Sequence, residues 1–480
     1  MTTHAAFALA FLASTLALAA QQPAPADTVR DTVRDTVRGA IAWIARQAVP
    51  VPGAENAVLF PDSEGSKKAP QATVYGGSAG VLIFLENAAA VLDDATAREL
   101  ADRTAKGLRS VRRVDSQERP SWTRGGMMGV TGLCTGDAGV GQAFLVRHAL
   151  RGDAEALATA IEVGDALLQR AREEDDGGLS FGKQVDIIFG NAGTALFLLE
   201  LGVAAKQERF VDAARRAGRV LVAEAVRVPS QADGKCLLPT WVLAMGGAKI
   251  HMPGFSHGTA GVAYALVRIG AETGDKELLQ AGVDGAQWLV ENAVADGEGL
   301  KWAASDRGTQ TYMGGWCHGP AGTCRLFLLL HAVTGEQRWR DMALKGARFV
   351  IDYAANAEKA GSDGEKPYVP PSYCCGVAGV VEFFCDLARA TKDEKDAAFA
   401  RKAGQYLVDV AIQDGDGRKW KNGPGAPGPV AADSKGYNVD LMIGAAGEAL
   451  ALLRLLTLDR EQEPVRGMPD RAVVARLVNK

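Results

Sequence analysis

The chain has 480 residues, 47% of them hydrophobic and 23% charged, with a net charge of −4. This is the composition of a globular protein with ample length for a large core, and it excludes a disordered or fibrous chain. The faintly acidic balance, without a basic stripe, argues against a nucleic-acid partner.

The chain opens with MTTHAAFALAFLASTLALAA, an apolar run ending in small residues. It reads as a secretory signal peptide over 1–19, cleaved at Ala17-Leu18-Ala19, although it begins without Lys or Arg. The run is short for a membrane span, and no later segment has eighteen uninterrupted apolar residues. The expected mature protein is exported, periplasmic or extracellular, with no stable membrane span. Next comes DTVRDTVRDTVRGAIAWIARQAV. Val29, Val33, Val37, Ile41 and Ile44 recur at helical spacing, and Asp and Arg can pair across a turn, so this is the first amphipathic helix and not a linker.

From Gly77 onward the chain repeats itself. A Gly-x-Ala-Gly followed by an apolar run begins at Gly77, Gly136, Gly190, Gly258, Gly319, Gly376 and Gly444, at intervals of 54 to 68 residues. These runs predict helices that are apolar nearly all round and buried on both sides. Between them lie amphipathic helices such as VDAARRAGRVLVAEA from Val211 and LLQAGVDGAQWLVENA from Leu278. A unit of one outer and one inner helix cannot bury its faces alone, so neighbours must stack. The prediction is an all-α fold, an α/α toroid of seven helical hairpins over 27–460, followed by a C-terminal tail over 461–480. Long irregular loops at Pro229 to Phe255, Asp296 to Gly315, Glu358 to Tyr373 and Asp414 to Gly436 all lead into inner helices. They therefore crowd one end of the toroid, where a functional site is expected.

Chemistry-bearing residues sit just before the Gly-x-Ala-Gly turns. Repeat three has Asp186, repeat four His257, repeat five Cys317 and His318, and repeat six Cys374 and Cys375. Repeats one, two and seven, with VYGG, LCTG and LMIG, offer no such set, so the site is expected from repeats three to six. The seven cysteines are odd in number and four fall between Cys317 and Cys375, which fits a metal site better than a disulfide framework. Soft thiolates select zinc, and three protein ligands leave a fourth position open, the mark of a catalytic site. Cys324 and Cys385, inside apolar helical runs, read as inert core cysteines. Asp137 reads as an acid placed on a helix dipole, and His148 and His331 as structural.

WCHG at Trp316 to Gly319, SHGTAG at Ser256 to Gly261 and DIIFGNAG at Asp186 to Gly193 resemble the lanthionine cyclase, or LanC-like, family. The resemblance runs through all seven repeats. It implies an α/α toroid with a zinc ion that activates a cysteine thiol for addition to a dehydroalanine or dehydrobutyrine, closing a thioether; some relatives handle glutathione instead. It further implies that Cys317 and Cys374 are zinc ligands, and that Cys375 stands where the family usually places histidine, giving a three-cysteine variant. His257 matches the catalytic histidine and Asp186 the aspartate of the family motif. His257 is suited to protonate the enolate, with Asp186 orienting it or accepting the thiol proton. His318 and Trp316 are substrate-binding candidates, with His251 a lesser one. The expected partner is a peptide or small thiol. Two other readings stay open: a non-catalytic, zinc-anchored binder of thiol or glutathione peptides, and a toroidal carbohydrate-active enzyme, which would need a carboxylate pair.

Overall fold

The computed structural model describes residues 26–124, 130–245, 247–307, 311–360, 369–422 and 436–471. The leader expected over 1–19 and residues 472–480 of the expected tail lie outside these. The described residues form fourteen helices and a set of two-stranded hairpins. Seven are inner helices: α2 (Ser78–Leu92), α4 (Asp137–Arg151), α6 (Asn191–Ala205), α8 (Thr259–Thr273), α10 (Pro320–Thr334), α12 (Val377–Thr391) and α14 (Ala445–Leu456). Seven are outer: α1 (Ala26–Arg46), α3 (Ala95–Ser110), α5 (Ala154–Arg170), α7 (Glu208–Ala223), α9 (Lys276–Glu291), α11 (Gln337–Ala360) and α13 (Glu394–Asp409).

Each inner helix packs on the next inner helix in the chain, and α14 packs on α2, so the ring closes. Each also packs on the outer helix that follows it. The last one, α14, has no such successor among the described residues and packs instead on α1, whose Val33, Val37, Ile41 and Ile44 are buried. The expected helix at the start of the repeats thus supplies the missing seventh outer partner. Inner-to-outer connections are tight for a local reason. Gly152, Gly274 and Lys392 take left-handed backbone at the inner helix end, and the next residue, Asp153, Asp275 or Asp393, caps the outer helix through its carboxylate.

The Gly-x-Ala-Gly turns have a steric cause. The second glycine lies against the carbonyl of the residue three before the first: a Cβ on Gly322 would sit 1.8 Å from the Trp316 oxygen, and one on Gly261 2.0 Å from that of Phe255. Only a glycine admits that backbone approach. In four repeats the x residue, Ser78, Asp137, Asn191 or Thr259, accepts a backbone N–H from Phe60, Trp122, Phe181 or Trp241 respectively. Asp137 also accepts from the Thr123 amide and hydroxyl. Its main contacts are therefore these fixed donors of the incoming chain, beyond the helix dipole assigned from sequence.

The connections into the inner helices are more regular than their sequences suggest. Seven antiparallel hairpins occupy them: β1 (Val49–Pro50) with β2 (Val58–Leu59), β3 (Arg113–Val114) with β4 (Pro120–Ser121), β5 (Arg172–Glu173) with β6 (Leu179–Ser180), β7 (Val226–Pro229) with β8 (Leu237–Thr240), β9 (Val242–Met245) with β10 (Ala248–His251), β11 (Val294–Asp296) with β12 (Gly299–Lys301), and β13 (Ile412–Asp414) with β14 (Gly417–Lys419). Strands of two to four residues carry too little alternation to be read from sequence. Residues 246, 308–310, 361–368 and 423–435 of the long loops lie outside the described set.

The inner helices are not apolar all round, which corrects the expectation. Arg268 (α8), Arg325 (α10) and Arg454 (α14) are fully buried on the faces that line the ring axis. Arg454 donates to Glu382 (2.6 Å), Asp386 (2.6 Å) and Glu463 (3.1 Å), and Arg268 to Glu200 (2.6 Å) and Glu272 (2.8 Å). The segment 461–471, marked in the sequence only as a tail, threads this axis. Arg466 and Asn87 exchange two hydrogen bonds, Gln142 donates to the Gly467 carbonyl, and the Asp470 side chain reaches Trp316. Single charges inside apolar runs gave no sign of this mutual pairing. No helix among the described residues is long and apolar enough to cross a membrane.

Candidate functional site

The turns ahead of the inner helices are stitched together by their backbones. Two residues before each first glycine stand Tyr75, Cys134, Ile188, Ser256, Cys317, Cys374 and Met442. The N–H of Tyr75 donates to the Cys134 carbonyl (2.8 Å), Cys134 to Ile188 (3.0 Å), Ser256 to Cys317 (3.0 Å), Cys317 to Cys374 (2.9 Å) and Cys374 to Met442 (2.8 Å). Between repeats three and four the link shifts one residue, Ile187 to Ser256 (3.2 Å). Equivalent positions of successive repeats are thereby held side by side. That is why residues far apart in sequence converge at this end of the ring.

Cys317, Cys374 and Cys375 converge as expected. Their three Sγ atoms lie within 4.8 Å of one another, all buried, with Cys317 and Cys375 3.2 Å apart. All seven cysteines are free thiols. Hydrogen bonds from Cys317 and Cys375 pull the Cys374 thiol well below its ordinary range. Cys317 is driven well above it by those same contacts to its neighbouring thiols and by burial. Cys375 gains from its hydrogen bond with Cys317, but the ionised Cys374 and burial push it upward overall. Three thiols this close cannot all ionise unless a cation shares their charge. Cys324 and Cys385 are buried in α10 and α12, the latter raised to about 12 by burial, as inert core thiols should be.

His257 and Asp186 form a pair. The His257 Nδ1 lies 3.1 Å from Asp186 Oδ2, and the other carboxylate oxygen accepts the Phe189 N–H at 2.7 Å. Asp186 is fully buried. Phe189 stacks on the imidazole at a centroid distance of 4.9 Å, so a hydrogen bond and a ring face both fix its orientation. His318 lies next to it, ring centroids 6.1 Å apart, half-buried and with its Nδ1 unpartnered. Burial and the nearby His257 push His318 down to about 4, so it is neutral at pH 7. Trp316 turns toward the ring axis, buried beside Phe255 and Tyr373, with its indole N–H donated to Asp470 at 2.8 Å. His251 lies on β10, its backbone paired with Asp306, and is not brought into this group.

Two residues escaped the sequence reading. Tyr75 of repeat one places its hydroxyl 3.5 Å from Cys374 Sγ. The expectation that repeats three to six alone build the site is corrected accordingly: a closed ring brings repeat one round beside repeat seven, which itself adjoins repeat six. The signal was present, since Tyr75 occupies the same turn position as Cys317 and Cys374. Phe189 is the other; it holds the same turn position as His257 in the preceding repeat. Besides stacking on His257, it walls a cavity of about 530 Å³ whose lining includes Arg113, Arg119, Arg124, Arg170 and Lys183 against a single acid, Asp115.

Among solved structures, nisin cyclase superposes with a TM-score of 0.55 at 14% identity, covering 90% of this chain and 95% of that one. At that identity the likeness is one of fold. A glycoside hydrolase family 76 α-mannanase from Bacteroides thetaiotaomicron aligns at 10% identity with a TM-score of 0.49, covering 89% of this chain and 96% of that one, and a sugar epimerase from a ruminal bacterium at 12% and 0.48, covering 90% and 98%. No curated protein matches the chain. The sequence pattern of the lanthionine synthetase C-like proteins, by contrast, matches residues 70–468, from the segment before α2 through the strand of chain that threads the axis. On that match, which takes in every Gly-x-Ala-Gly turn and each residue of the cysteine and histidine group, the chain belongs to the lanthionine synthetase C-like family.

Proposed function

We propose that this protein is a zinc-dependent enzyme that adds a thiol to a dehydrated amino acid of a peptide, forming a thioether. The observation that carries the reading is the buried thiol triad beside an oriented His257–Asp186 pair. Cys317, Cys374 and Cys375 would hold the ion; the donor set is all sulfur, which suits zinc, and their ionisation pattern calls for a cation. Zinc bound there would lower the pKa of a substrate thiol taken up at the fourth position.

The protein residues have separable tasks. Tyr75 donates its hydroxyl to Cys374 and tempers the charge on that sulfur. Asp186 keeps a proton on His257 Nδ1, leaving Nε2 to work on the substrate. In the balanced reaction the thiol loses its proton to His257, sulfur bonds to the β-carbon, and the carbon–carbon π pair moves toward the carbonyl. The same proton then passes from His257 to the α-carbon, so one residue serves as base and acid. The cationic cavity beyond Phe189 suits an acidic stretch of peptide next to the reacting residues. Export, expected from the leader, remains part of this reading.

The test pairs purified protein with a dehydrated peptide bearing a cysteine, and separately with a small thiol and a dehydroalanine peptide. Thioether formation that is lost in His257→Ala, with zinc content unchanged, supports the enzyme. Tight thiol binding with no turnover of either pair would instead favour a binder and overturn the proposal.

A further inference from the structure

On the stretch of ring formed by repeat seven, next to the cysteine turn of repeat six, four buried side chains leave oxygen atoms without a partner among the described residues. They are Asp440 Oδ2, Glu448 Oε2, Asn422 Oδ1 and Asn438 Oδ1, on residues that are 1%, 0%, 2% and 6% exposed. Buried polar atoms are nearly always paired, so four orphans in one neighbourhood need a cause. Every one of them is an acceptor.

The groups are tied to one another. Asp440 Oδ1 accepts the N–H of Met442 and of Ile443, each at 2.9 Å. The Asn422 amide nitrogen donates to the Ile443 carbonyl (2.5 Å) and lies 3.4 Å from Glu448 Oε1. The Ile443 peptide and the Asn422 carboxamide therefore link the two carboxyls, and Glu448 lies in the first turn of α14. The carboxamide donors are spent and its oxygen is left over. Asn438 stands two residues before Asp440, bridged to Ser63, and its backbone carbonyl accepts the N–H of Ala445 at 3.0 Å, which holds it at the start of α14.

We propose that Asn422, Asn438, Asp440 and Glu448 form a site for a hard divalent cation, with calcium the ion they fit. All the donors are oxygen, which selects calcium-like ions over zinc. Two carboxylates balance a charge of +2, and two neutral amide oxygens add to the coordination without excess charge. Burial and the nearby Glu448 push the Asp440 carboxyl well above its ordinary range, and burial pushes Glu448 up to about 7. A divalent ion between them would oppose both shifts by favouring the charged carboxylates. The ion would join the hairpin exit at Asn422 to the turn into α14, where the last inner helix meets α1 and closes the ring.

The experiment uses full-length, zinc-loaded protein dialysed into calcium-free buffer, with calcium chloride alone as the probe. Equilibrium dialysis with elemental analysis should give one calcium per chain. The thermal midpoint should rise by a few degrees when calcium is at about a hundred times its Kd. Asp440→Asn combined with Glu448→Gln should lose both effects while zinc content stays the same. Should that double variant fail to fold, Asn422→Ala serves in its place, with calcium affinity expected to fall about tenfold or more, the loss of one coordinating oxygen. No bound calcium, an equal shift from sodium or magnesium, or unchanged calcium binding in whichever variant folds would overturn the proposal.

Discussion

His257 and Asp186 differ in what they touch, and that difference sets what each substitution should do. His257 faces the substrate on this account, so His257→Ala should reduce thioether formation by about a hundredfold or more, the usual loss for a general acid–base residue. Zinc content measured on the same sample should not change. Asp186 acts through His257, so Asp186→Asn should lower kcat with little change in KM and shift the pH profile of kcat, a signature that a purely structural role would not give. Cys375 is, on the resemblance, a thiol where the family usually places histidine. Cys375→His should retain zinc yet make the bound thiol less nucleophilic, read as slower alkylation by a small electrophile; an unchanged rate would contradict the electron-rich site. At this scale the sequence was legible wherever chemistry stood at a repeat-equivalent turn. Tyr75 was passed over because a tyrosine ahead of two glycines carries no ligand signature of its own. Its role appears only when ring closure sets it against Cys374.

The Gly-x-Ala-Gly turn is the element on which the site depends. Its second glycine lets the carbonyl three residues before the first one lie against the helix, and the two residues that follow that carbonyl include a ligand or acid–base group in repeats four to six. Gly322→Ala would force its methyl to within 1.8 Å of the Trp316 oxygen. The backbone must shift next to Cys317, and the expected cost is about 3 kcal/mol, accompanied by weaker zinc retention. Gly314→Ala meets only ordinary contact with Tyr353 at 3.6 Å and should leave both unchanged. Thermal unfolding with metal analysis separates the two. Inner and outer helices were plain from sequence because fifteen-residue runs carry a full helical period. The hairpins were not, since their two-to-four-residue strands show no period at all.

At the scale of the whole molecule, the ring is held from inside by charge as well as by apolar packing. Arg454, fully buried, binds Glu382, Asp386 and Glu463 together. Arg454→Met would remove the one guanidinium that pairs with all three, taking from Glu382, Asp386 and Glu463 their shortest ion pair, and should cost roughly 3–5 kcal/mol. Both Asp386 and Glu463 feel burial pushing their carboxyls up, but the arginines around them, Arg454 first, hold them below their ordinary values of 3.8 and 4.5. The sign follows: their contribution is complete above those ordinary values and is lost as pH falls through the lowered ones. The thermal midpoint should therefore drop as pH is taken below about 4, and by less in Asp386→Asn. The toroid and its seven-fold order could be read from the repeats. The charged axis could not, because a lone Arg in an apolar helix gives no sign of its partners far along the chain. What the ring accomplishes, on this account, is to bring three thiols from two repeats onto one zinc ion with a position left for a substrate thiol. X-ray absorption at the zinc edge of the purified protein tests that directly. The account predicts one zinc per chain with three sulfur ligands at about 2.3 Å and one lighter atom, replaced by a fourth sulfur when a thiol peptide is added. Protein that takes up no zinc, or in which Cys317 is found in a disulfide, would contradict it.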